Sequence, residues 1–198
     1  MKRFIKIAVS LMGAALLVCL FTGCGYNNMV SLRESVDSQW ANVENRYQER
    51  NDLVPNLVAT VKGYASHEES VFTEVANARS RLGTNINIDS SITDDPEAME
   101  QFINAQTDMT SSLSHLIAIS ESYPDLKANE NFMDLQSQLE GIENRIATER
   151  KRYNDAVKQY NTAISKFPGL ITARMFGLTS KQYFKAESHS FAAPRVEF

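Results

Sequence analysis

From Val36 to Leu82 the chain repeats apolar side chains on a seven-residue spacing, in two interleaved seams. One reads Val36, Val43, Arg50, Leu57, Tyr64, Val71, Ala78; the other reads Trp40, Tyr47, Val54, Val61, Glu68, Val75, Leu82. Twelve of the fourteen positions are apolar or aromatic, which calls for a helix packed on other helices along most of its length, as in a coiled coil. The spacing therefore predicts a long first helix over 36–82. Pro55 falls inside it, removes one amide donor and crowds the preceding turn, so a kink near Asn51–Asp52 is expected. Gly83 after Leu82, with Arg79 and Arg81 in the last turn, predicts the stop.

Two more stripes follow a polar loop over 84–95. Asp94 or Asp95 before Pro96 reads as a helix start, an acid cap followed by proline in the first turn. Met99, Phe102, Ile103, Gln106, Met109, Leu113, Leu116, Ile117 and Ser120 then share one face, and Tyr123-Pro124 ends the helix. Its Thr107–Ser114 stretch is a poor helix former that packing must support. A third helix is predicted from about Asn129 to Phe167, because Phe132, Leu139, Ile146, Tyr153, Tyr160 and Phe167 fall at strict intervals of seven. Leu135, Ile142, Ala156 and Ala163 fill the companion seam. Pro168-Gly169 stops it, Leu170–Phe176 is a short fourth helix, and 177–198 is a polar, aromatic-dotted tail. With 8 Gly, 5 Pro and no strand-length alternation, the expected fold is all-α. It is an elongated antiparallel bundle of three long helices and a short C-terminal one.

The first 23 residues read as a separate unit. Lys2, Arg3 and Lys6 precede 17 uncharged residues, Ile7 to Gly23, that are apolar or small. That length suits a signal-peptide core and only marginally a membrane span, which needs about 20 apolar residues. Leu20-Phe21-Thr22-Gly23-Cys24 is similar to the lipobox of bacterial lipoproteins, in which the cysteine is lipidated and becomes the mature N-terminus. The usual leucine three places before the cysteine is Phe21 here. Three outcomes stay open: a lipoprotein lipidated at Cys24, an uncleaved single-span anchor, or a secreted form. The basic start places the N-terminus in the cytoplasm and the body on the extracytoplasmic side. The expected organisation is 1–23 signal or anchor, 24–35 juxtamembrane, 36–176 helical body and 177–198 tail. Loss of 1–23 leaves 17 basic against 24 acidic residues, a charge of −7, which argues against nucleic acid and against electrostatic adhesion to anionic lipid.

Few patterns carry chemistry. A di-iron bundle needs Glu-x-x-His, but the residues three places before His67, His115 and His189 are Tyr64, Ser112 and Ala186. There is no Gly-x-Ser-x-Gly and no glycine-rich phosphate loop. Two cysteines, one inside the leader, make neither a disulfide framework nor a cysteine-rich metal site. No cofactor or metal is expected. The informative polar residues are those that interrupt the seams, Arg50, Glu68 and Glu149, and those clustered beside them. The expectation is an inter-helix network in which Arg46, Asp52, Asn56 and Lys62 of the first helix face Glu143, Arg150 and Asn154 of the third, with Lys62 opposite Glu143 and Asp52 opposite Arg150. The same residues read alternatively as a binding or catalytic site between helices.

Four separated blocks resemble the LemA family. They are Asp52-Leu53-Val54-Pro55-Asn56-Leu57-Val58 with Thr60–Ala65 and His67-Glu68; Glu121 and Tyr123–Asn129 leading to Phe132; Glu140, Glu143–Ala147, Arg150, Tyr153-Asn154 and Tyr160-Asn161; and Tyr183-Phe184-x-Ala186 with Pro194-x-Val196-x-Phe198. The resemblance implies a membrane-anchored bacterial helical bundle with no established general activity. Many members carry a plain transmembrane anchor, from which the lipobox-like end departs. The expected function is a non-enzymatic, envelope-anchored scaffold that binds another envelope protein; the alternative is a ligand-binding sensor or enzyme using the inter-helix polar site.

Overall fold

A computed structural model describes the backbone of residues 2–84 and 90–185, and the side chains of 25–82 and 90–185. Cys24 and the expected tail beyond 185 lie outside the described side chains. The described chain is all-helical: α1 Lys2–Tyr64, α2 Glu69–Thr84, α3 Pro96–Ala118, the single turn α4 Pro124–Lys127, α5 Glu130–Ser165 and α6 Gly169–Phe176, with 3₁₀ turns at Ser90–Thr93 and Ile119–Ser122. Among the residues whose side chains are described no helix is long and apolar enough to cross a membrane; the side chains of the 7–23 run fall outside that set.

The predicted first helix is two helices, not one. α1 runs unbroken through Pro55, ends at Tyr64, and α2 begins at Glu69. Of the fourteen seam positions all but Tyr64 and Glu68 are buried, and those two flank the break. Gly63 in the last turn weakens the helix there. The break itself is held by Ala65 N–H donating to the Val61 carbonyl at 2.9 Å and Glu68 N–H donating to the Ala65 carbonyl at 3.2 Å. Because α2 still turns an apolar face inward, the heptad phase survives the reversal and hides it from a periodicity argument.

Contacts fix the directions. α1 and α5 are antiparallel, with Trp40 on Tyr153, Arg50 on Glu143 and Tyr64 on Asn129. α3 runs with α1, Tyr47 meeting Phe102 and Arg50 meeting Thr110. α2 runs against α3, Glu74 meeting Ser112 and Arg81 meeting Asp108. Asp95 is the α3 cap, its Oδ1 accepting from the Glu97 and Ala98 amides at 2.9 and 3.3 Å with Pro96 in the first turn. Asn129 caps α5 through Oδ1, which accepts from Phe132 N–H at 3.0 Å. In the weak Thr107–Ser114 stretch, Thr107, Thr110, Ser112 and Ser114 each donate to a carbonyl four residues back. Phe167, in phase with the α5 seam, is 82% exposed because α5 ends at Ser165, two residues before it.

The apolar interior is in two parts. One holds Val36, Trp40, Val43, Tyr47, Phe102, Ile146, Tyr153, Tyr160 and Phe184. The other holds Val54, Leu57, Val61, Val71, Val75, Met109, Leu113, Leu116, Phe132 and Leu139. Partly buried Leu53 touches both. Between them α1, α3 and α5 each present a polar side chain: Arg50, Gln106 and Glu143.

Candidate functional site

The polar layer is built on Arg50, which takes a seam position of α1 and is 1% exposed. Its Nη1 donates to Thr110 Oγ1 at 2.9 Å and to Glu143 Oε1 at 3.0 Å, and its Nη2 donates to Gln106 Oε1. The guanidinium carbon lies 5.1 Å from the Tyr47 ring centre. A buried guanidinium is costly unless its charge is paired, and Glu143, about a third exposed, supplies the counter-charge. Arg50 Nε and Gln106 Nε2 are buried without a protein partner. The space beside them is a cavity of about 30 Å³ bounded by Arg50, Gln106, Thr110, Glu143 and Arg150, room for a water or two.

A second polar centre lies on the tail. Residues 178–185 form no helix, yet Lys181 and Phe184 are buried. Lys181 Nζ donates to Thr93 Oγ1 at 2.8 Å and Asp94 Oδ2 at 2.9 Å, and reaches Asp37 Oδ1 at 3.4 Å. Two asparagines of α5 grip the backbone beside it in the same way. Asn161 accepts from Lys181 N–H and donates to its carbonyl, both at 2.9 Å; Asn154 accepts from Phe184 N–H at 2.9 Å and donates to its carbonyl at 3.0 Å. Tyr153 donates to the Gln182 carbonyl at 2.8 Å. The Phe184 ring enters the aromatic group of Trp40, Phe102 and Tyr153, and Arg150 covers it at 4.9 Å. Burial first, then the charges of Asp37 and Asp94, push the Tyr153 phenol well above its usual range. Burial also raises Tyr160, against the opposing charge of Arg33. At the α1–α2 break, the hydrogen bond that Tyr123 donates to Glu68 at 3.0 Å raises its phenol.

The residues of the expected network separate into two sets. Glu143 reaches α1, but through Arg50; Arg150 and Asn154 serve the tail. Arg46 pairs with Glu49 at 2.8 Å and Asp52 accepts from Gln48 at 2.7 Å, both within α1. Asn56 is exposed, and Lys62 lies 6.0 Å from the Phe72 ring rather than opposite Glu143. The reason is phase: Arg50 shares the seam of Val43 and Leu57, whereas Arg46, Asp52, Asn56 and Lys62 fall off both seams. Arg50 was legible as a seam interruption, and Gln106 as a polar residue on an apolar face. Lys181 carries no such signal, because the tail has no period. Among the described residues no group of three His, Cys, Asp or Glu side chains is arranged to hold a metal ion.

Residues 39–198 match the LemA family. The chain belongs to that family. Magnetosome protein MamQ of Magnetospirillum gryphiswaldense is 28% identical over 174 residues, covering 80% of this chain and 64% of its own length. Magnetosome protein MamQ 2 of Paramagnetospirillum magneticum is 27% identical over 178 residues, with 81% and 64% covered. The chain thus spans a little under two thirds of the relatives it matches. In this LemA chain the family-like blocks fall at the joints: Glu68 and Tyr123 at the α1–α2 break, Asn129 at the α5 cap, Glu143 in the polar layer, and Asn154, Asn161 and Phe184 at the tail.

Proposed function

We propose that this LemA-family chain is a membrane-anchored helical scaffold without enzymatic activity, whose body binds another protein of the same envelope. The helices form an elongated antiparallel bundle, held through the 7–23 run or a lipid on Cys24, with the body on the extracytoplasmic side. The observation that carries this reading is the internal use of the polar groups. Arg50 and Lys181 are both paired inside the fold, and the cavity between α1, α3 and α5 is about 30 Å³, against the roughly 300–1,000 Å³ of a small-molecule site. The magnetosome name of the MamQ relatives supports a place at a membrane.

The test is site-specific photocrosslinking in intact cells from exposed positions such as Gln48, Asp52 and Asn56. A discrete adduct with one envelope protein, recovered from neighbouring positions and absent from a buried control at Val54, is the expected result. No adduct above that control, or about one tightly held iron, zinc or manganese per chain after dialysis, would overturn the reading. For the anchor, Cys24→Ser should abolish acyl labelling and leave an uncleaved precursor; labelling that persists removes the lipoprotein form. A second reading, a ligand sensor or enzyme at the polar layer, is favoured by the unpartnered Arg50 Nε and Gln106 Nε2 beside the cavity. It requires a small molecule that raises the melting temperature of the parent and not of Arg50→Met.

A further inference from the structure

Helix α6 is inside out. An eight-residue helix on a protein surface ordinarily buries its large apolar side chains and shows its small and polar ones. Here Thr172 and Ala173 are buried, while Ile171 is 52% and Met175 69% exposed. Leu170, Phe176 and the preceding Phe167 are exposed as well. The helix is held in this orientation closely. A Cβ on Gly169 would strike the Ala163 carbonyl and come within 2.7 Å of Met29 Cε, so only glycine allows the approach. Gly177, at φ 66°, closes the far end. The outward apolar face is therefore imposed by tight packing on its other side.

The place of this face decides what covers it. The Phe176 ring lies 4.3 Å from that of Tyr26, and Tyr26 is three residues, about one helical turn, beyond the end of the uncharged Ile7–Gly23 run on the same helix α1. The charge changes there too. Segments 24–34 and 165–178 carry Arg33, Lys166 and Arg174 against the single acid Glu34, in a body that is acidic beyond residue 23. Aromatic and aliphatic side chains beside a few basic ones, at the end of an apolar helical run, make the composition of an interfacial membrane helix.

We propose that α6 is a second membrane contact: its Phe167, Ile171, Met175 and Phe176 face, with Tyr26, sits in the headgroup and upper acyl region of the bilayer that holds the 7–23 run. The proposal rests on the membrane-anchored reading above. It makes the base of the body a two-point mount, in which the anchor fixes position and α6 fixes tilt and rotation about the anchor.

The experiment uses the full chain reconstituted into phosphatidylcholine vesicles containing acyl-brominated lipid, with Met175→Trp as reporter and Met133→Trp, an exposed position near the start of α5, as control. Flotation with the vesicles reads the anchor separately. Expected is flotation of both variants with at least about twofold stronger bromolipid quenching at Met175→Trp, as follows from burial about 5–10 Å into the interface. Phe167→Trp, at a more exposed position, gives the same answer should the first variant fold poorly. Adding Ile171→Ser and Phe176→Ser to the reporter should cut the quenching while flotation persists. Flotation without differential quenching overturns the proposal and spares the anchor. In that case a dimer in detergent assigns the face to a second copy, and a monomer assigns it to a protein partner. Failure to float overturns both.

Discussion

Removing either member of the Arg50–Glu143 pair breaks the same ion pair with unequal consequences. Glu143→Ala leaves a guanidinium that is 1% exposed without its counter-charge. The loss should be about 2–4 kcal/mol, below the fully buried range because Glu143 is itself a third exposed. Arg50→Met instead leaves Gln106 short of a partner and lets Glu143 turn to water, for about 1–3 kcal/mol. Denaturant unfolding of the two variants should rank them in that order, and equal losses would place the energy in packing alone. Tyr153 supplies a pH dependence. Its phenol titrates near 10 in the unfolded chain and higher in the folded one, so folding favours the neutral form. The stability this confers is whole below pH 10 and falls as pH rises toward the folded value, by about 1.4 kcal/mol per unit. Tyr153→Phe loses the bond to the Gln182 carbonyl at every pH, but its stability should decline less steeply above pH 10 than the parent's.

The tail 178–185 behaves as an element although it has no repeating structure. Its order comes from the side-chain amides of Asn154 and Asn161, from Lys181 and from the Phe184 ring, each contributed by a different turn of the chain. Phe184→Ala should cost about 3–5 kcal/mol, because it removes a buried ring packed on Trp40, Phe102 and Tyr153. Near-ultraviolet circular dichroism of the tryptophan band should report that loss before helicity changes. Such an element is invisible to a reading based on periodicity, whereas the seams of α1, α3 and α5 were legible because each buries a stripe at fixed phase. The same logic explains the missed break at residues 65–68. Two antiparallel helices joined in phase give the pattern of one; at the joint only Glu68 interrupted the seam, while the exposure of Tyr64 shows only in the structure. Phe167 shows the converse error, a residue in phase with a helix that has already ended. In the polar layer, the sequence exposed Arg50 as an anomaly but not its partner, since Glu143 on α5 is chosen by the packing of α1 against α5.

At the scale of the molecule, α1 carries the distance between the base and the far end. Tyr26 and Tyr64 are separated by 38 residues of one helix, about 57 Å. Energy transfer from a donor at exposed Ser66 to acceptor lipids in reconstituted vesicles should report roughly that height if the bilayer holds the 7–23 run as proposed and α1 stands upright on it. A height of a few ångströms would mean that the body lies along the bilayer. The division of the interior adds a temporal property to this geometry. The far part, from Val54 to Leu139, is complete in a nascent chain that has reached α5. The part beside the apolar run includes Val36 and Trp40 but also Phe184, so it can close fully only after the tail has left the ribosome. In a chain made from its N-terminus, the region beside the apolar run is thus the first to be synthesised and the last to become solid.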